Sequence, residues 1–256
     1  MFKARPPQQE ILDYTGGRYG VSAVPGSGKT HTLSALAARL IIENRLADDQ
    51  EVLIVTLVNS AVENFSSRVE KFLAPYQLVP GFGYRVRTLH GLAHDIVRER
   101  PDLVGLSTQF QIIDERDSDS ILRDAAVAWL RANPTFYQNF IDPDIDHNRL
   151  QSVVSQQWPE LMVSLARSFI SQAKDLQAPP ALIRQALSHL AAPPLLLQMG
   201  LEIFEDYQRA LNYRSGVDFN DLIRLALQAL ETDPDYLARL SRRWPYVLED
   251  EAQDSS

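Results

Sequence analysis

The chain has 256 residues, with 25 Lys+Arg against 33 Asp+Glu and a formal net charge of −8. That length makes one large domain or two small ones, and 45% hydrophobic with 23% charged residues suits a folded globular chain. The absence of cysteine excludes disulfides, thiol catalysis and Cys-ligated zinc, and the acidic balance argues against coating of nucleic acid over the whole surface.

Tyr19–Val24 and Glu51–Thr56 are expected as strands, because near-continuous apolar runs suit a parallel sheet covered on both faces. Lys29–Glu43 and Asn59–Phe72 carry helical apolar spacing, and a third strand, Tyr84–Thr88, leads into a helix over about Gly91–Arg100. Strand–helix alternation at this spacing predicts βαβ units and an α/β fold with a parallel sheet. From about Asp102 to Arg214 one short strand candidate, Phe110–Asp114, is followed by helical periodicity at Asp117–Arg131, Leu161–Lys174, Pro180–Leu190 and Leu195–Asn212. The pairs Pro179-Pro180 and Pro193-Pro194 separate these helices, since an interior proline removes a hydrogen bond and clashes. Asp218–Leu230 reads as a helix, and Pro234–Arg243 as another with Asp233 as its N-cap. Trp244–Glu249 reads as a last strand ending in Asp250-Glu251. The expected organisation is therefore an α/β lobe made of residues 1–100 and 215–256, interrupted by a mostly helical subdomain at 101–214. No run reaches 18 uninterrupted apolar residues and no apolar run follows the N-terminus, so the expectation is a cytoplasmic protein without a membrane partner.

Ala23-Val24-Pro25-Gly26-Ser27-Gly28-Lys29-Thr30, between an expected strand and an expected helix, is the context in which a glycine-rich loop becomes a phosphate site. The glycines let backbone N–H groups turn toward a polyphosphate at the positive end of the helix. Lys29 reaches β- and γ-phosphates in such a loop, and the Thr30 hydroxyl coordinates Mg²⁺. Tyr246-Val247-Leu248-Glu249-Asp250-Glu251 supplies a partner carboxylate, Asp250 for Mg²⁺, and a general base, Glu251. Together they point to a nucleoside triphosphate hydrolase. His90 and His94 share a helix face at metal-ligand spacing, but no third ligand is evident and no metal other than Mg²⁺ is expected. Phe204, Tyr207 and Tyr213 fall mostly at core spacing, and Arg98, Arg100, Arg239, Arg242 and Arg243 read as a solvated face or a basic rim.

The order of motifs resembles the UvrD/Rep-like superfamily 1 DNA helicases over nearly the whole chain. Gln8 sits where that family reads adenine, and its amide suits a bidentate adenine contact. Thr56-Leu57-Val58-Asn59-Ser60-Ala61-Val62, with Arg68 trailing, is similar to the family's Thr-Phe-Thr-Asn-Lys-Ala-Ala motif, and Arg87-Thr88-Leu89-His90-Gly91-Leu92 to its Thr-Phe-His-Ser-Phe motif. Phe110–Asp114, Ile170–Lys174 and Asp218–Ile223 match connecting segments, and Asp250–Ser255 resembles Asp-Glu-Phe-Gln-Asp-Thr. The chain departs from the family with His31 in place of an arginine, Leu57 and Leu89 in place of aromatics, and Ser60 in place of a basic residue. Stacking on bases contributes roughly 1–3 kcal/mol each, so a weaker DNA track is expected.

The resemblance implies a RecA-like P-loop lobe whose cofactors are ATP and Mg²⁺. It implies ATP binding by Gln8, Ala23, Val24, Pro25, Gly26, Ser27, Gly28, Lys29, Thr30 and His31, and Mg²⁺ binding by Thr30 and Asp250. Catalysis would fall to Lys29, Glu251 and Gln253, and backbone contacts to single-stranded DNA to Asn59, Arg68, Thr88 and His90. The implied activity is 3′-to-5′ translocation on single-stranded DNA and unwinding at single-/double-strand junctions. That activity needs a second RecA-like lobe of the same parent chain, so the sequence reads as an N-terminal, weakly active fragment. Two rivals stay open: another phosphate-loop enzyme such as a nucleotide kinase, and an inert lobe that binds DNA or partners.

Overall fold

The computed structural model describes residues 4–24, 26–43, 45–79, 81–142 and 144–254. In chain order the first elements are α1 (Pro6–Leu12), α2 (Lys29–Ile42), β1 (Val52–Thr56), α3 (Asn59–Leu73), β2 (Tyr84–Thr88) and α4 (Leu89–Glu99). The middle carries β3 (Gln111–Ile113), α5 (Glu115–Ala132), α6 (His147–Ser152), α7 (Trp158–Asp175), α8 (Pro180–Ser188), α9 (Leu195–Tyr213) and β4 (Gly216–Asp218). The return is α10 (Phe219–Thr232), α11 (Pro234–Arg243) and β5 (Tyr246–Glu249). Two compact units result, one of residues up to Glu99 and from Ala226 onward, the other of Arg100–Leu225.

In the first unit β1 lies between β2 and β5, parallel to both, with Thr56 opposite Thr88 and Val55 opposite Glu249. All five residues of β1 are buried, which is what a central parallel strand covered on both faces requires. Leu36, Ala37 and Leu40 of α2, and Phe65 and Val69 of α3, join Val52 and Ile54 of β1 in one core. Asp233 caps α11 as expected, accepting from the Tyr236 N–H at 2.9 Å, with Pro234 in the first turn. Tyr236, fully buried, donates its hydroxyl to the Ile96 carbonyl of α4 at 3.0 Å.

Tyr19–Val24 is not a strand. It pairs with no ladder among the described residues, and Tyr19, Val21 and Val24 are exposed. Its apolar run is that of a buried strand, yet a strand exists only where a neighbour takes its N–H and C=O groups. A cleft of about 520 Å³ lies beside the segment, walled by Tyr19, Gly20 and Val21 together with Tyr246, Val247 and Leu248 of β5.

The second unit is mostly helical. Trp129 of α5, Trp158, Met162 and Ala166 of α7, and Met199, Ile203 and Phe204 of α9 form its core. The two short strands β3 and β4 pair in parallel, Gln111 opposite Gly216 and Ile113 opposite Asp218. Phe204 and Tyr207 are buried, as their spacing suggested, whereas Tyr213 is exposed.

Candidate functional site

The glycine-rich turn runs directly into α2. Gly26 and Gly28 sit at φ +76° and +91°, the left-handed region that side chains disfavour, and Gly28 is the helix N-cap. A Cβ on Gly28 would stand 3.3 Å from the Gln8 amide nitrogen, a tight approach to which the Gln8 side chain would have to yield. The turn therefore presents the free N–H groups of the first turn of α2 at its mouth. Ser27 Oγ is buried there and is without a hydrogen-bond partner among the described residues, the condition of a hydroxyl whose partner is a ligand oxygen.

Lys29 and Thr30 follow in the first turn of α2, and β5 brings Asp250 and Glu251 to them. The Asp250 N–H donates to the Val55 carbonyl at 3.0 Å, extending the β1–β5 ladder by one residue and fixing Asp250 beyond the strand end. Thr30 Oγ1 donates to Asp250 Oδ2 at 3.1 Å, so a hydroxyl and a buried carboxylate oxygen lie together as a pair able to hold Mg²⁺. Lys29 Nζ is 3.4 Å from Glu251 Oε2, and Gln253 Nε2 donates to the same oxygen at 2.5 Å. The Gln253 amide first, and then the Lys29 ammonium, hold the Glu251 carboxyl below its ordinary range. Glu251 itself has φ +61°, a left-handed conformation that is strained for glutamate.

Gln8 stands in α1 with its oxygen accepting from the Arg5 N–H at 3.0 Å and its amide donating to the Ser27 carbonyl at 3.4 Å, which ties α1 to the turn. A cleft of about 350 Å³ is lined by Gln8, Ala23, Ser27 and Lys29. Val24 is exposed at the turn and Pro25 lies outside the described residues. His31 packs on Phe72 of α3, ring centroids 5.1 Å apart, and is not among the residues that line this cleft. The donor set of ammonium, hydroxyls, carboxylate and turned backbone fits a nucleotide with its magnesium.

Two further segments end at the same edge of the parallel sheet, because parallel strands put all their carboxyl ends together. Asn59 begins α3 just beyond β1 and is exposed; Arg68 is half-buried further along α3. Thr88 ends β2, and its Oγ1 accepts the Gly91 N–H at 3.0 Å, capping α4. His90 follows in the first turn of α4, half-buried. His94 Nδ1 lies 4.0 Å from Asp95, and no group of three metal-ligating side chains occurs among the described residues.

One polar cluster escaped sequence reasoning. Lys174 of α7 pairs with Asp218, and with Asp221 at 3.0 Å, while the Tyr207 hydroxyl donates to Asp218 at 2.5 Å. Burial pushes the Asp218 carboxyl up, but the Lys174 charge and hydrogen bond together with the Tyr207 hydroxyl outweigh it and leave the group below its ordinary value. Both segments matched connecting motifs in the resemblance, yet neither motif says which of its polar residues meet.

The UvrD/REP helicase N-terminal domain family matches residues 4–256. The chain is 24% identical over 253 residues to a probable DNA helicase II homolog of Rickettsia felis, covering 98% of this chain and 33% of that protein. It is 26% identical over 250 residues to the ATP-dependent DNA helicase PcrA of Staphylococcus aureus, and 25% over 251 residues to PcrA of Bacillus subtilis. These alignments cover 97% and 98% of this chain and 29% of each relative, so the chain spans a third or less of the relatives it matches.

Proposed function

The chain belongs to the UvrD/REP helicase N-terminal domain family, and from that premise we propose that it is the ATP-binding part of an ATP-dependent 3′-to-5′ DNA helicase. In this reading the first unit is a RecA-like lobe, residues about 101–214 are a helical insertion, and a second lobe of the same parent chain completes the motor on single-stranded DNA and at duplex junctions. The observation that carries it is the meeting of Lys29 and Thr30 with Glu251 and Asp250 across 222 and 220 residues of sequence.

Gln8 holds the adenine edge of ATP. The turn from Gly26 to Gly28 and the Lys29 ammonium bind its phosphates, with Ser27 Oγ donating to a phosphate oxygen. Thr30 and Asp250 would hold Mg²⁺, which would supply positive charge against the charge developing on the phosphates. Lys29 leaves Glu251 for the phosphate, and Glu251 is then free to accept a proton from the attacking water. Gln253, already bonded to Glu251, links that event to the strand ends where Asn59, Thr88 and His90, with Arg68 of α3, contact DNA phosphates without reading sequence.

ATP turnover measured with and without single-stranded oligonucleotide tests this, on the chain itself and on its parent with the second lobe. The parent should be stimulated by DNA, and the chain alone should be slower by about 10³–10⁵-fold because a γ-phosphate arginine of the second lobe is missing. Lys29→Ala should abolish turnover, and Glu251→Gln should lower it by about 10²–10⁴-fold while retaining bound ATP. Normal turnover in either variant sinks the reading; turnover indifferent to DNA leaves only a phosphate-loop hydrolase.

A further inference from the structure

A second charged pocket, of about 280 Å³, shares no lining residue with the phosphate loop. It sits in the first unit, under α4 and α11, with Arg85, Arg87, Arg98 and Arg243 around a floor of Ile96 and Leu240. Arg85 and Arg87 are two apart on β2, so the pleat sends both side chains to the same face.

The guanidiniums are held, but not exhausted. Arg85 grips Glu51 through Nε and one terminal nitrogen at 2.9 and 3.3 Å, leaving its other terminal nitrogen over. Arg87 donates from Nε to Asp95 at 2.7 Å and from one terminal nitrogen to its neighbour's carbonyl at 3.2 Å. Arg243 lies over the Trp244 ring and reaches Glu51 and Glu99 only at 3.7 and 3.9 Å, beyond hydrogen-bond distance. Arg98 makes no ion pair with any described residue. Four cations thus meet the three carboxylates of Glu51, Asp95 and Glu99, and each arginine retains donors that no protein acceptor uses.

We propose that this pocket is an anion site that takes a phosphate group. A carboxylate ligand would bring one charge and two oxygens, no more than Asp95 or Glu99 already offers. A phosphate brings up to two charges and three acceptor oxygens, enough to engage several guanidinium forks at once and outcompete the resident acids. The phosphate can belong to a nucleic-acid backbone or be a free ion, and the site's chemistry is common to both. The pocket stands apart from the ATPase assignment and holds whether or not that assignment does.

Side-chain NMR on the Lys29→Ala chain, whose phosphate loop is disabled, reads the site directly. Inorganic phosphate should shift the Trp244 indole N–H, which donates to Glu51 at 3.2 Å beside the pocket, and the Nε–H signals of the four arginines, saturably. Arg98→Ala should weaken that binding about tenfold, the loss of one charge-assisted hydrogen-bonding group, with Arg98→Lys between. Arg98 holds no other residue in place, so unchanged backbone amide signals of Val52–Thr56, in the core of the same unit, verify the fold. An unphosphorylated-end oligothymidylate that saturates the same signals at lower concentration assigns the phosphate to a nucleic-acid backbone; a response to inorganic phosphate alone assigns a free ion. Still signals with both probes, or a response that Arg98→Ala leaves unchanged, overturn the proposal.

Discussion

Lys174 shows how much one buried charge can decide. Its ammonium is the cation between Asp218 and Asp221, all three buried. Removing it leaves Asp218 without a cation, while Asp221 keeps Arg224 at 3.3 Å, and breaking such a buried pair costs about 3–5 kcal/mol. Lys174→Met should therefore lower the melting temperature of the second unit at pH 7 by several degrees. The pH dependence should also invert. In the native chain the Asp218 carboxyl is held below its ordinary value, so its contribution is present above about pH 4 and is lost as pH falls through the lower folded value. Without Lys174 burial dominates and lifts that carboxyl, and the variant should become more stable on acidification from pH 7 to 5. Melting curves at the two pH values check the sign; parallel behaviour of variant and parent would refute this account.

Glu251 carries the opposite balance, a strained backbone beneath the carboxylate proposed as general base. Its φ of +61° disfavours any side chain, while its carboxylate is held by Gln253 and Lys29. Glu251→Gly should fold as well as the parent or better by calorimetry, because glycine accepts that backbone freely, and should lose turnover by about 10²–10⁴-fold.

At the scale of elements, what sequence reveals depends on whether a pattern is local. Helices announce themselves through spacing and caps: Asp233-Pro234 marks the start of α11, and Asp233→Ala should cost about 1 kcal/mol by denaturant melting of the first unit. Strands β1, β2 and β5 were legible because their burial is real on both sides or one. Tyr19–Val24 has the same letters but no neighbour, and a ladder is a property of two segments that one run of residues cannot display. The three-residue β4 has no counterpart among the expected elements, where Asp218 opens a helix, since too short a run carries no period. The meeting of Lys29 and Thr30 with Glu251 and Asp250 follows from motifs of a different kind, proposed here as a phosphate site. Their chemistry requires particular residues at fixed offsets, whereas Lys174, Tyr207 and Asp218 require only proximity, which three-dimensional packing supplies.

For the molecule as a whole, the parallel sheet gathers the carboxyl ends of β1, β2 and β5, and with them Asn59, Thr88 and Asp250, at one edge. The second unit contributes none of these residues and has a separate core built on Trp129, Trp158 and Met199. Two cores of this kind need not melt together. Damage confined to one should then be visible against the other as an internal reference. Hydrogen exchange on Lys174→Met provides that contrast: amides of α5, α7 and α9 should lose protection by about the 3–5 kcal/mol assigned to the buried cation. Amides of Val52–Thr56, which take no part in the Lys174 cluster, should exchange at the parental rate, and ATP should still bind at Lys29. Equal loss of protection in β1 would mean that α10, whose first half lies in one unit and second half in the other, fuses the two cores into a single cooperative fold.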